Sequence, residues 1–153
     1  MTSSAPTSAA PAAGYSGKPL AAKLGLRAGA RLFAQDAPAD YAALLGPLPE
    51  GVVRSRAADA TVDIAHVFAI ERDGLDRTLR AMRSALRDDA VLWISWPKKA
   101  SKRPTTVTED VIRELALPLG WVDVKVCAVS EVWSGLKLVV RVGERGGRPG
   151  LPG

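Results

Sequence analysis

Residues 121–142 have the sequence WVDVKVCAVSEVWSGLKLVVRV, and this stretch decides the fold. It contains two extended apolar runs, at 121–129 and 136–142, which are separated only by residues 130–135. A link of this length is too short to cross over a sheet and begin a parallel strand. The two runs are therefore predicted to form an antiparallel hairpin at the end of the chain.

Upstream of this hairpin, extended apolar runs alternate with helical patterns, which is typical of strands joined by crossover helices in a mainly parallel sheet. The predicted strands lie at 31–35, 51–54, 61–70 and 90–96, and the predicted helices at 19–24, 38–45, 74–87 and 108–119. A parallel sheet that finishes in a hairpin resembles the sheet of class I methyltransferases. We expect an α/β, three-layer, Rossmann-like domain with about six strands.

Composition favours one folded domain. The chain has 153 residues, of which 47% are apolar and 24% charged, which suffices for one packed core and excludes bulk disorder. We expect a single domain at 15–142 between disordered tails at 1–14 and 143–153.

No apolar run approaches the roughly 20 residues that span a bilayer. Cys127 is the only cysteine, which excludes an internal disulfide, and a cytoplasmic location is the expectation.

The turn after the first strand departs from the methyltransferase pattern. That resemblance implies a glycine-rich loop against S-adenosylmethionine at this turn and a ribose-binding acid after the second strand. Residues 33–38 are FAQDAP, without glycine, and residues 54–56 are Arg-Ser-Arg. Residues 71–73, Glu-Arg-Asp, also lack the Asp/Asn-Pro-Pro-aromatic motif of amino-methylating enzymes. We therefore expect no cofactor.

Three short segments carry a closer resemblance: WISWPK at 93–98, LGWVD at 119–123 and VWSGLKLV at 132–139. In these segments the chain is similar to a small bacterial family classed as a domain of unknown function. The resemblance covers most of residues 15–142. The resemblance implies the fold, and it implies no activity because the family has no assigned function.

The carboxyl ends of the parallel strands are where open α/β sheets bind ligands. Asp36 or Glu71 could orient a polar ligand there, Lys98 could meet an anion, and Trp96 could stack on a ring. The alternative is that these are ordinary loop residues, because no pair has a spacing diagnostic of catalysis. The predicted rim consists of Gln35, Asp36, Glu71, Arg72, Ser95, Trp96 and Lys98.

The positive charge of the chain is concentrated in one loop. The net charge is +5, and residues 96–104 hold Lys98, Lys99, Lys102 and Arg103 without an acid. This basic loop could contact the phosphates of a nucleic acid, with Trp96 stacking on a base. A solvated loop predicts the same composition, and no nucleic-acid motif accompanies it.

Several other residues have a structural interpretation. His66 lies within a predicted strand on an apolar face and has no second histidine or cysteine with which to share a metal, so we expect a packed or hydrogen-bonded core residue. Cys127 and Trp133 are interpreted as packed against the sheet. A solvated helix face is expected to hold Arg77, Arg80, Arg83 and Arg87.

The leading hypothesis is a non-catalytic, methyltransferase-like binding or regulatory module with a protein or small-ligand partner and no membrane partner. The first alternative is an enzyme with an altered pocket that uses Glu71, Asp36 or Lys98. The second alternative is nucleic-acid association through the basic loop.

Overall fold

The computed structural model describes residues 18–145. The predicted tails lie outside the described residues, except that the chain continues through a 3-10 turn at Val142–Glu144. The strands are β1 (Arg31–Gln35), β2 (Val53–Ser55), β3 (Ile64–Phe68), β4 (Val91–Pro97), β5 (Trp121–Ala128) and β6 (Trp133–Val140). The α-helices are α1 (Leu20–Leu24), α2 (Tyr41–Leu45), α3 (Arg72–Ala85) and α4 (Glu109–Ala116), and further 3-10 turns lie at Lys99–Ser101 and Leu117–Leu119.

The strands form one mixed sheet in the order β2-β1-β3-β4-β6-β5. Strands β1 to β4 pair in parallel, whereas β6 is antiparallel to both β4 and β5. The predicted antiparallel hairpin and the predicted α/β architecture are therefore confirmed. The free edges are β2, which has three residues, and β5, whose register shifts between Asp123 and Lys125.

Each face of the sheet packs against its own helices. Helix α3 places Leu75, Leu79 and Met82 on one face, where they meet β3, β4 and Ile112 of α4 in an apolar cluster. On the other face, α1 and α2 contribute Leu20, Leu24, Tyr41 and Leu45 to a cluster with Trp93 and Trp133. Both faces are covered, as the continuous apolar run of β4 predicts.

Strand β6 begins three residues earlier than predicted. Trp133, Ser134 and Gly135 pair with Pro97, Trp96 and Ser95 of β4, so they belong to the strand and not to the turn. The turn is closed instead by the Ser130 hydroxyl, which accepts hydrogen bonds from the amides of Val132 and Trp133. Trp133 is buried, which confirms that it packs against the sheet.

Strand β3 is shorter than predicted because a turn precedes it. The Asp59 carboxylate accepts hydrogen bonds from the amide and the hydroxyl of Thr61, at 2.8 and 2.5 Å, which curls residues 59–61 away from the sheet. Helix α3 begins at Arg72, earlier than predicted, because the Arg72 amide donates to the Thr106 hydroxyl at 2.7 Å. A side chain from a distant loop therefore caps this helix.

The prediction of a solvated arginine face on α3 was wrong for Arg83. Its side chain is 2% exposed and donates to the Leu119 carbonyl at 2.8 Å and to the Asp88 carboxylate at 2.8 Å. A third hydrogen bond joins it to the carbonyl of Glu144 at 3.2 Å. Arg83 thus fastens the 3-10 turn that follows α4, and the last described turn, to α3.

Candidate functional site

The sheet order reverses between β1 and β3, and a cleft opens at the carboxyl ends of these two strands. From β1 the chain proceeds outward to β2, then returns to the other side of β1 to form β3. The cleft has a volume of about 740 Å³, and we call it the switch-point cleft. Ligands of α/β proteins bind at such points of reversal. The wall residues used below are Gln35, Asp36, Ala37, Pro38, Glu71, Arg77, Thr78, Arg103 and Trp133.

The turn after β1 forms one wall of this cleft. Asp36 has a φ of 58°, a left-handed conformation that favours glycine, although the residue carries a side chain. Ala37 and Pro38 follow it along the cleft. The turn therefore has the backbone conformation of a glycine turn while presenting side chains and one residue without an N–H donor.

Helix α3 forms the opposite wall and is tied to β1. The Gln35 side-chain amide donates to the Thr78 hydroxyl at 3.1 Å, which bridges the end of the strand to the second turn of the helix. Arg77 is exposed beside Thr78 and, among the described residues, forms no salt bridge. This residue was not among the predicted rim positions. The helical pattern predicted its exposure but not its position over the end of β1.

Two carboxylates and two guanidinium groups therefore line the switch-point cleft. Asp36 makes no ion pair within residues 18–145, and Glu71 accepts only a long hydrogen bond, 3.5 Å, from the hydroxyl of Thr106. The guanidinium groups belong to Arg77 and Arg103, and that of Arg103 lies 5.2 Å from the centre of the Trp133 ring. The cleft can therefore accept a ligand that carries charge of either sign.

A buried chain of polar groups runs beneath the cleft. The Tyr41 hydroxyl lies 2.8 Å from Nδ1 of His66, and Nε2 of His66 lies 2.7 Å from the Ser95 hydroxyl. His66 and Ser95 are fully buried. Burial lowers the pKa of His66 from 6.5 to about 3, so the ring is neutral near pH 7. The prediction that His66 is a hydrogen-bonded core residue is confirmed.

The basic loop borders a second cleft on the far side of β4. This loop cleft has a volume of about 770 Å³ and is formed by the end of β4, residues 98–105 and the start of α4. Trp96 lies in its floor and is 9% exposed. The four cations of the basic loop all line it, and Arg103 lines both clefts.

The predicted rim residues are thus divided between two clefts. Gln35, Asp36 and Glu71 lie in the switch-point cleft, whereas Trp96 and Lys98 lie in the loop cleft. Ser95 lies in the core with His66 and does not reach the rim. Arg72 lies at the start of α3 and forms a salt bridge of 2.6 Å with Glu114.

Residues 18–145 show neither a metal-binding cluster, nor an activated thiol, nor a membrane-spanning helix. No group of three metal-ligating side chains is present within them. Cys127 is half-buried, and burial raises the pKa of its thiol, which disfavours the reactive thiolate. None of the helices in this range combines the length and the apolar character that crossing a bilayer requires.

The cofactor that the fold implies does not fit these residues. Asp36, Ala37 and Pro38, none of which is glycine, line the wall where bare backbone would contact S-adenosylmethionine. At the end of β2, Arg54 lies over the Tyr41 ring, 5.2 Å from its centre, in place of a ribose-binding acid. The glycine turn and the acid that the resemblance implies are therefore both missing from these two positions.

No family model matches the chain, and no curated protein matches it. Solved structures do match, at low sequence identity. A SAM-dependent methyltransferase from Aquifex aeolicus has a TM-score of 0.55 at 16% identity, over 78% of this chain and 87% of the enzyme. Fibrillarin from Aeropyrum pernix, in complex with S-adenosyl-L-methionine, has a TM-score of 0.52 at 13% identity, over 78% and 73% of the two chains.

Mitomycin 7-O-methyltransferase has a TM-score of 0.53 at 11% identity over 74% of this chain. This chain spans about half of that enzyme, 49% of its length. Similarity at these identities concerns the fold. The sheet order, the terminal hairpin and these three structures agree, and the described chain therefore has the fold of the class I methyltransferases.

Proposed function

We propose that this chain is a binding module built on the methyltransferase sheet, which recognises a small polar ligand or a partner protein at the switch-point cleft and transfers no methyl group. Fold similarity does not carry activity by itself. The proposal therefore depends on the residues of the cleft.

The turn at Asp36, Ala37 and Pro38 carries this proposal. In the methyltransferase fold, glycines at this turn let the cofactor lie against the backbone and accept hydrogen bonds from the backbone N–H groups. Here three side chains line the wall, and Pro38 has no N–H to donate. The left-handed φ of Asp36 supports a tight turn here, at a position that carries a side chain and not a glycine. The cleft is thus suited to a ligand other than S-adenosylmethionine.

Calorimetric titration of the full chain with S-adenosylmethionine and S-adenosylhomocysteine tests the proposal. We expect no heat of binding and no shift in the thermal unfolding midpoint at millimolar ligand. A ligand present at 100 times its Kd would stabilise the protein by about 2.7 kcal/mol, which an unfolding curve resolves. The Aquifex aeolicus methyltransferase serves as the positive control. Micromolar binding together with methyl transfer to any acceptor would overturn the proposal.

A second candidate function is an enzyme with an altered pocket. The observation that favours it is the pair of carboxylates, Asp36 and Glu71, in a cleft whose volume of about 740 Å³ is typical of small-molecule sites. Lys98, the third residue of this hypothesis, lines the neighbouring loop cleft. An enzyme at the switch-point cleft would therefore work without Lys98.

Transfer of a labelled methyl group from S-adenosylmethionine distinguishes the enzyme from the binding module. The chain is incubated with methyl-labelled S-adenosylmethionine and cell extract, beside the variants Asp36→Asn and Glu71→Gln. Asp40→Asn is the matched control, because Asp40 is an exposed acid at the start of α2 that does not line the cleft. The enzyme predicts labelled product that the two cleft variants lose and the control retains. The binding module predicts no label with any of them.

A further inference from the structure

The four cations of the basic loop lack the acidic partners that six arginines of this chain have. Carboxylates lie within salt-bridge distance of Arg72, Arg80, Arg83, Arg87, Arg113 and Arg141. In contrast, Lys98, Lys99, Lys102 and Arg103 make no salt bridge to any residue within 18–145. Four like charges within six residues repel one another. This concentration of unpaired charge therefore does not stabilise the fold.

The loop that carries these charges has an ordered backbone. The Lys98 amide donates to the Val132 carbonyl at 2.8 Å, which attaches the loop to the β5–β6 turn. The Ser101 hydroxyl donates to the Lys98 carbonyl at 2.7 Å and accepts from the Arg103 amide at 3.2 Å. Lys102 holds a left-handed φ of 60° at the end of the 3-10 turn. Hydrogen bonds thus hold the backbone from which the cations project.

The loop cleft is lined by five cations and two acids, so its net charge is +3. Glu109 and Asp110 lie on the α4 wall, where both pair with the guanidinium group of Arg113. The cations of the basic loop are therefore the unpaired charges of this cleft. A chain of phosphates that enters it can be surrounded by cations, whereas a flat membrane surface would contact only those at its margin.

Arg103 continues this positive surface beyond the loop cleft. It lines both clefts, and its guanidinium is positioned over the Trp133 ring. Arg77, on the far wall of the switch-point cleft, is a further exposed cation without an acidic partner in the described range. The cations therefore follow a path along the carboxyl edge of the sheet, where these five outnumber the two carboxylates of the switch-point cleft, Asp36 and Glu71. This arrangement suits an extended series of phosphates better than a single phosphate ion.

We infer that this path, from Lys99 and Lys102 through Arg103 to Arg77, binds the phosphate backbone of a single-stranded nucleic acid. Charge complementarity and concave shape carry the inference. The interaction is largely independent of base sequence, because the cations contact phosphates and not base edges. Trp96 and Trp133 are both buried and leave little ring surface on which bases can stack.

Fluorescence anisotropy with a labelled 12-nucleotide oligouridylate tests the inference on the full chain across a series of salt concentrations. Each phosphate contact with a single strand contributes about 0.7 to the slope of log K against log salt, so four contacts give a slope of about −2.8. The double variant Lys99→Gln/Lys102→Gln is expected to halve this slope to about −1.4. By the same relation it should bind about tenfold more weakly at about 200 mM salt, and the difference should grow as the salt concentration falls.

The matched control is Arg27→Gln/Lys125→Gln. Both residues are exposed cations that lie outside the two clefts, and this variant loses the same charge. It should retain the wild-type slope within error. Equal weakening by both double variants would show diffuse attraction to a basic protein and would overturn the inference. Circular dichroism confirms that each variant is folded.

Three further results would also overturn it. The first is no binding of the oligonucleotide at 20 mM salt. The second is tighter binding of a duplex of equal length. The third is loop-dependent binding to phosphatidylserine vesicles without binding to the oligonucleotide. Arg77→Gln tests the extent of the path, and a slope reduced by about 0.7 supports the continuation into the switch-point cleft.

Discussion

The hydroxyl group of Tyr41 lies 2.8 Å from Nδ1 of His66, which joins helix α2 to strand β3 through the core. On the other side of the ring, Nε2 lies 2.7 Å from the Ser95 hydroxyl of β4. Two neighbouring strands and one helix are thus connected by a single neutral imidazole. Its partners are buried, so their loss is not compensated by water.

Replacing Tyr41 with phenylalanine should destabilise the fold by about 1–3 kcal/mol, because it leaves a buried ring nitrogen without a hydrogen-bond partner. The phenyl ring preserves the edge contact with Phe68, whose ring centre lies 5.5 Å away. Urea unfolding at pH 7 measures the change. A loss below about 0.3 kcal/mol would show that this hydrogen bond is not important for stability.

The buried His66 predicts a pH dependence of stability. The folded pKa is about 3 and the ordinary value is 6.5, so the unfolded chain binds a proton more readily than the folded one. The stabilisation is fully present above pH 6.5 and is lost as pH falls towards 3, with a slope of up to about 1.4 kcal/mol per pH unit. Urea unfolding between pH 7.5 and 5 measures it. His66→Gln should flatten the slope, and an equal slope in this variant would contradict the prediction.

Arg83 and Arg80 provide a matched pair on helix α3. Arg83→Gln should destabilise the protein by about 3–5 kcal/mol, because Asp88 and the Leu119 carbonyl lose their charged donor in the interior. Arg80 is 65% exposed and pairs with Asp76, so Arg80→Gln should change stability by less than about 0.5 kcal/mol. Thermal unfolding of the two variants checks the contrast. Similar midpoints for both would be inconsistent with it.

Gly135 lies where a side chain has no room. An added Cβ would lie 2.9 Å from Cγ2 of Val129 and 3.4 Å from Cε3 of Trp93, so Gly135→Ala should cost about 1–3 kcal/mol through overpacking. Gly143→Ala is the control, since nothing lies within 4 Å of its added Cβ. In a protein that also carries Val129→Ala, Gly135→Ala should lower the free energy of unfolding by less, because the Cγ2 atom of Val129 is absent. Additive effects of the two substitutions in a double-mutant cycle would argue against this contact.

Much of the architecture follows from local pattern. The short link at residues 130–135 required an antiparallel hairpin, and the continuous apolar run of β4 required cover on both faces. Element ends were less predictable, because side chains distant in sequence set them. Thr106 caps the start of α3, and β4 recruits Trp133 into β6. Neither contact leaves a periodic signal along the chain.

The sequence predicts that the candidate residues follow the ends of parallel strands. It does not predict which of them share a cleft. Residues that follow β1 and β3 share a cleft because these strands are neighbours, whereas Trp96 and Lys98 follow β4 and line another. Lateral strand order depends on long-range pairing, which the spacing of residues does not encode. Arg83 illustrates a related limit. It lies four residues after Leu79, at the margin of the apolar face of α3, and the spacing does not reveal the buried acceptor that the Leu119 carbonyl supplies.

The two margins of the sheet are poor templates for an additional strand from another molecule. Strand β2 offers only three residues, and the register shift between Asp123 and Lys125 interrupts the even spacing of donors and acceptors along β5. Lys125 also brings an exposed charge to that margin. These features disfavour self-association by sheet extension, so the side chains at the carboxyl edge offer the better surface for recognition.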